Sequence, residues 1–336
     1  MSRAEAKETP VKRAIAKTKI LGLVALAGAS IVAGGGSPSE AAAVSINLCA
    51  VTGSVNLPGD SGVPIWAFTS GGNGLTPVCT PGSATAPGGP QLTTAADGDA
   101  VTLNVANALG NGHELSFEIP GVSGPTQIAD GSTATITFTA TAGAHLYQSG
   151  GDAGRQEAMG LYGALIVHPS TANQAYGDAS TAYDVEAPLV LSEIDPAFNA
   201  DPDNFDMTNY LATYWLINGE AYPDTNPIAA TAGQRVLLRY LNAGYDNTSM
   251  MLLGMHQRVI ARDGRTLGNP FDAVADTIPA GATEDTIATV PAGGAPSTHG
   301  FALYNRNLHV TNGATAADAA RGSYGTPGGM LTFITP

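Results

Sequence analysis

Short apolar stretches in which every second residue is polar recur along this chain, and glycine or proline breaks them apart. Val101, Leu103 and Val105 alternate with Thr102 and Asn104; Ala134 to Ala140 repeats the pattern; Val236 and Leu238 begin it again. A period of two puts one set of side chains on a core face and the other toward solvent, as in a half-buried strand. Turn formers are abundant, with 42 glycines and 22 prolines among 336 residues, and only 12% of residues are charged. Such a chain suits many short strands joined by tight turns, an all-β fold, and its length accommodates two domains. Apolar runs recur throughout, which argues against disorder.

The net charge is −14, unevenly spread. Arg3, Lys7, Lys12, Arg13, Lys17 and Lys19 crowd the start, and arginine is the only cation after residue 20. An acidic body repels phosphate backbones, which excludes nucleic acid as a partner. Behind the basic start comes an apolar run of 15 residues, Ile20 to Gly34, then Ala41-Ala42-Ala43. A basic, apolar, small-residue order reads as an export signal over 1–43, or as an N-terminal anchor, since the run is short of the ~20 residues of a membrane helix. The mature chain would begin near Val44, with no further membrane span, in a periplasmic or cell-surface setting. Cys49 and Cys79 are the only cysteines. Two cysteines early in an exported chain most simply pair as one disulfide.

Three stretches carry more specific information. Gly143 to Pro169 contains Tyr147-Gln148-Ser149-Gly150 and then Gly160-Leu161-Tyr162-Gly163-Ala164-Leu165-Ile166-Val167. Upstream lies His113-Glu114-Leu115-Ser116-Phe117-Glu118-Ile119-Pro120-Gly121. Downstream, Ile217-Asn218-Gly219, then Arg239 to Gly244, then Gly254-Met255-His256 with Ala261-Arg262-Asp263-Gly264 follow in order. In strand order these resemble the multicopper oxidases. The resemblance implies two cupredoxin-like Greek-key β-sandwich domains, over 44–170 and 184–336, joined by a small polar connector at 171–183. The turns have a local rationale: Gly219 and Gly264 tolerate positive φ, and Asn218 and Asp263 can bond their own turn backbones.

The same resemblance exposes what has changed. Family members carry Tyr-His-Ser-His where this chain has Tyr147 to Gly150, and end the equivalent upstream segment in His-x-His-Gly, where the alternate positions here are His113, Leu115 and Phe117. The chain has six histidines and no His-x-His pair, against the eight that the family's trinuclear cluster takes. The family's blue copper centre needs a cysteine late in a domain, and Cys49 and Cys79 are both early. His113 and His256 lie nearest the family's ligand strands and are the candidate metal residues. His145, two residues before Tyr147, is not counted as a ligand. Met250, Met251 and Met255 are expected to fill core space. Asp201, Asp203 and Asp206 lie in an acidic segment whose spacing matches no calcium loop, and a solvated turn is expected there.

The expectation is therefore an exported multicopper-oxidase-like protein with degenerate copper sites, structural, self-assembling or binding rather than catalytic, with no cofactor. The alternative is a copper-dependent oxidase working at a residual mononuclear site. Self-association or a cell-surface protein partner is compatible with either.

Overall fold

The computed structural model describes residues 43–93, 95–313 and 327–335. All but the last residue of the expected export segment lies outside these. Strands β1 (Ala43–Leu57), β2 (Asp60–Ser70), β3 (Ala100–Ala108) and β6 (Thr133–Thr139) form one sheet in the order β2-β1-β3-β6. Facing it is a sheet of β4 (Leu115–Ile119), β5 (Ser123–Ile128), β7 (Gly143–Ser149) and β8 (Tyr162–Val167), in the order β5-β4-β7-β8. β1 runs antiparallel to β2 and parallel to β3, so the chain crosses between sheets rather than meandering.

The second sandwich repeats the plan on a larger scale. Its wide sheet has the order β10-β9-β12-β17-β14-β15, from β9 (Val185–Ile194), β10 (Tyr214–Ile217), β12 (Arg235–Asn242), β14 (Gln257–Arg262), β15 (Arg265–Ala273) and β17 (Thr283–Thr289). The other is β11-β19-β18-β13-β16, from β11 (Ile228–Ala229), β13 (Thr248–Leu252), β16 (Ala275–Ile278), β18 (Phe301–Asn305) and β19 (Leu331–Thr335). The all-β, two-sandwich expectation is the architecture observed.

Alternation holds where one face meets water. Val101, Leu103 and Val105 are buried while Thr102 and Asn104 are partly exposed, and β6 behaves likewise. It fails where both faces are covered. Leu48, Cys49, Ala50 and Val51 on β1 are all fully buried. Leu48 and Ala50 join the core inside the first sandwich. Cys49 and Val51 join a different cluster, which also contains Ile194, Tyr214 and Leu216 of the second sandwich. β8 divides in the same way: Leu165 and Val167 face inward, while Tyr162, Ala164 and Ile166 pack with Leu241 and Ala243 of the second sandwich. β12 also departs from the half-buried expectation, with Val236 and Leu238 in the second core and Leu237 packed beneath the connector. At about 1.5–3 kcal/mol per fully buried large aliphatic side chain, this apolar seam holds the sandwiches face to face.

The connector is not a loose tether. Ala175, Tyr176 and Tyr183 pack against Leu237, Ile260 and Ile287. Tyr176 Oη donates to Asp285 Oδ2 at 2.6 Å. Arg239, fully buried, bonds Asp285 and, at 2.6 Å, Glu186; His168 at the end of the first sandwich meets the same Glu186 at 2.7 Å. A buried guanidinium requires such pairing, because an uncompensated charge there costs several kcal/mol. Cys49 and Cys79 are joined as a disulfide with Cα atoms 5.5 Å apart, tying β1 to the loop after β2.

Candidate functional site

The places where the multicopper oxidases carry cluster ligands lie at the end of the first sandwich where β4 and β7 meet, with Phe117 opposite Ser149 and Glu118 opposite Gln148. Leu115 is completely buried in the core between the sheets. Gln148 donates from Nε2 to Glu118 Oε1 at 3.2 Å, and its Oε1 is buried with no hydrogen-bond partner among the described residues. Gly150 offers only backbone, its N–H bonded to the Ser116 carbonyl at 3.1 Å.

What replaces the ligands is a hydrogen-bonded knot. Ser149 Oγ accepts from the Ser116 N–H at 2.9 Å and donates to Gln156 Oε1 at 2.7 Å. Gln156 Nε2 then donates to the Glu114 carbonyl at 2.8 Å and to Asp152 Oδ2 at 3.1 Å. Gln156 is fully buried on helix α1 (Arg155–Ala158) and clamps β4 to β7. The sequence offered no sign of it, because a lone glutamine in a crossing loop matches no motif.

The carboxylates of the acidic segment, Asp201, Asp203 and Asp206, are exposed as expected, while its apolar residues and those flanking it cap this end. Asp195 accepts from the Ala197 N–H at 2.9 Å, and Pro196 opens helix α2 (Pro196–Ala200) with its preset φ. This aims Phe198, fully buried, into the core of the first sandwich, which also holds Leu115, Phe117 and Met159. Phe205 and Tyr210 stack edge-on against it, each at 5.6 Å. Arg155 fastens the segment from outside, donating to the carbonyls of Pro202 at 3.1 Å and Phe205 at 3.0 Å. Asp201 accepts from the Asn204 side chain and Asp206 caps a single 3-10 turn, so both carboxylates make local contacts.

His113 and His256 occupy different environments. His113 lies on Trp66, ring centroids 4.5 Å apart, with Asp152 3.7 Å from Nδ1 and Asp203 3.8 Å from Nε2. His256 is exposed on an open groove of the second sandwich, alongside Arg235 and Arg258. His145 is buried, and its Nε2 lies 3.0 Å from the Thr141 carbonyl; a carbonyl only accepts, so Nε2 carries the hydrogen. Burial pushes its pKa below the ordinary value, and the bond to Thr141 opposes this in part. His309 stacks flat on Trp215 at 4.2 Å and is likewise shifted down by burial. His299 is exposed near Phe333. Met250 and Met255 fill the second core as expected, whereas Met251 is half-buried outside it, its Sδ accepting from Tyr304 Oη at 3.2 Å.

A copper cluster of the family's kind needs converging imidazoles. His113, Gln148, Leu115 and Gly150 supply one imidazole, one amide, one alkyl chain and one glycine. Among the described residues, no three His, Cys, Asp or Glu side chains converge to hold a metal ion. The residues present do not fit the copper cluster.

Two carboxyl groups near the seam, Glu193 buried and Glu157 half-buried, stand out electrostatically. Burial raises the pKa of Glu193 to about 7, against the opposing pull of the Tyr245 and Asp246 N–H groups. Burial and the neighbouring charge of Glu118 raise Glu157 to about 7 as well. Glu193 Oε2 is buried without a hydrogen-bond partner among the described residues.

Solved structures similar to this chain include several copper proteins. The chain is similar to a blue copper oxidase from Nitrosomonas europaea, with a TM-score of 0.69 and 22% identity over 87% of this chain and 85% of that one. It is similar to the multicopper oxidase mgLAC, with a TM-score of 0.67 and 21% identity over 87% and 86% of the two chains. A copper nitrite reductase from Nitrosomonas europaea aligns with a TM-score of 0.61 and 21% identity over 87% and 94%. No protein-family model matches the chain, and no curated protein matches it. The chain thus has the paired cupredoxin fold of the multicopper oxidases and related copper proteins, in a divergent form at the ligand positions.

Proposed function

We propose that this is an exported, multicopper-oxidase-like protein that performs no copper catalysis and serves as a binding or self-assembling scaffold of the cell exterior. One observation carries the reading: the ligand places hold Leu115, Gln148 and Gly150, and Phe198 packs into the core beside them. Reinstating a cluster would need new side chains and removal of an aromatic cap together. A disulfide and the early basic-apolar segment support export. We place the domains at 44–170 and 184–336, with 171–183 as the connector.

Oxygen uptake tests this reading. The copper-supplemented mature chain is expected to show no turnover of a phenolic substrate above free copper at the same concentration. Saturable turnover lost in His113→Ala would replace the scaffold reading with a residual copper oxidase.

A further inference from the structure

Where the sandwiches meet, they leave a cleft of about 460 Å³. The first sandwich contributes the β4–β5 turn and the start of β7; the second contributes the β14–β15 and β16–β17 turns. None of its residues stands at a former copper-ligand place, so the cleft is independent of the copper question. Clefts of this size between domains are where small-molecule sites concentrate, with apolar walls and a few placed polar groups.

The polar groups here are few and of opposite sign. Asp263, Arg265 and His145 are the titratable residues that line the cleft. His145 is held by Thr141, and burial favours its neutral form, so it adds no net charge. Asp263 and Arg265 flank Gly264 at the tip of the β14–β15 hairpin, where Arg262 pairs with Arg265. Asp263 and Gly264 have φ of 47° and 67°, a two-residue turn of the primed kind that fixes both neighbours on one rim. Asp263 Oδ1 accepts from the Thr283 N–H at 3.0 Å, which anchors the carboxylate against the second wall. Neither Asp263 nor Arg265 belongs to an ion pair among the described residues. The other exposed arginines of this sheet, Arg258 and Arg262, both do. Val122 and Leu146 supply apolar wall.

A fixed cation and a fixed anion on one rim, over an apolar wall, complement a small molecule bearing both charges and an apolar substituent. We infer that this cleft binds a free α-amino acid or a similarly small zwitterion, its carboxylate against Arg265 and its ammonium against Asp263. Charge-assisted hydrogen bonds at each end would set orientation, and a turn pinned at Asp263 lowers the ordering cost of binding.

Calorimetric titration of the whole mature protein with glycine, L-leucine, L-glutamate and L-arginine tests this, with N-acetyl-L-leucine and L-leucinamide as probes lacking one charge each. At least one amino acid is expected to bind, L-leucine more tightly than glycine. Blocking either charge of leucine should weaken binding by about tenfold or more. Arg265→Gln should weaken it as much while leaving the melting temperature unchanged, since the side chain is exposed. Asp263→Asn, which keeps the acceptor for Thr283, controls for folding and should cost a similar factor. Absence of heat with all four amino acids at millimolar concentration would overturn the inference, as would equal binding of leucine and its two blocked forms.

Discussion

Gly264 of the second sandwich rests directly on His145 of the first: a Cβ built on Gly264 would fall 2.5 Å from His145 Cε1. The approach is tight from both sides, since a Cβ on Gly143 would lie 2.9 Å from the Gly264 Cα. Beside them Thr283 Oγ1 donates across the seam to the Ala144 carbonyl at 3.0 Å. The hairpin tip therefore sets the distance between the sandwiches, and with it the width of the cleft.

Gly264→Ala should be destabilising for two reasons. Its φ of 67° disfavours a side chain, and the added methyl group meets a buried ring. A loss of about 1–3 kcal/mol is expected from the backbone alone. Chemical denaturation reads this directly, and a stability equal to that of the unaltered protein would mean that the hairpin tip does not bear on His145.

Phe198→Ala removes a fully buried ring from the cap, at an expected cost of about 3–5 kcal/mol. The companion change Arg155→Gln should loosen the 199–209 segment with a much smaller loss, and protease cleavage within that segment should accelerate. A cap that resists protease as before in both variants would show that the acidic segment is held by other contacts.

The raised pKa values of Glu157 and Glu193 fix the sign of a pH effect. Both carboxyls stay protonated in the folded chain up to about 7, whereas an unfolded glutamate ionises near its ordinary 4.5. The unfolded state thus binds fewer protons in that window, and stability falls as pH rises from about 4.5 to about 7. Glu193→Gln keeps an oxygen for the Tyr245 and Asp246 N–H groups and removes its share of the slope, up to roughly 3 kcal/mol. Denaturation curves at pH 5 and pH 7.5 are the check, and an unchanged slope in the variant would contradict the assignment.

Breaking the Cys49–Cys79 bridge, whose cysteines are 30 residues apart, should lower stability by about 3 kcal/mol without abolishing the fold. The melting temperature of Cys79→Ser, compared with that of the unaltered oxidised protein, measures it. An unchanged melt would show that the bridge is not formed in solution.

Legibility in the sequence followed the geometry of burial. β3 and β6 were readable because each shows one face to water, so period two survives in Val101–Val105 and Thr133–Thr139. β1 was missed, and its Leu48–Val51 run shows why: core lies on both faces, so the alternation disappears. The turn residues were right in place and wrong in partner. Asn218 accepts from the Val190 N–H at 2.8 Å and Asp263 from Thr283, so each pins its turn to a neighbouring strand instead of to itself. At the former ligand end, the losses at Leu115, Gln148 and Gly150 could be read by comparison with a motif. The replacements could not, because Gln156 reaches back 42 residues to the Glu114 carbonyl and Phe198 joins the distant core of the first sandwich. The opposite charges at the cleft likewise mean little until the hairpin is seen to face β7.

Copper stoichiometry tests the central claim most directly. The mature protein, loaded with Cu(II), dialysed and measured by elemental analysis with an EPR spectrum, should retain far less than one copper per chain and give no protein-bound signal. Close to one copper per chain with a type-2 spectrum, lost on changing His113, would contradict the account.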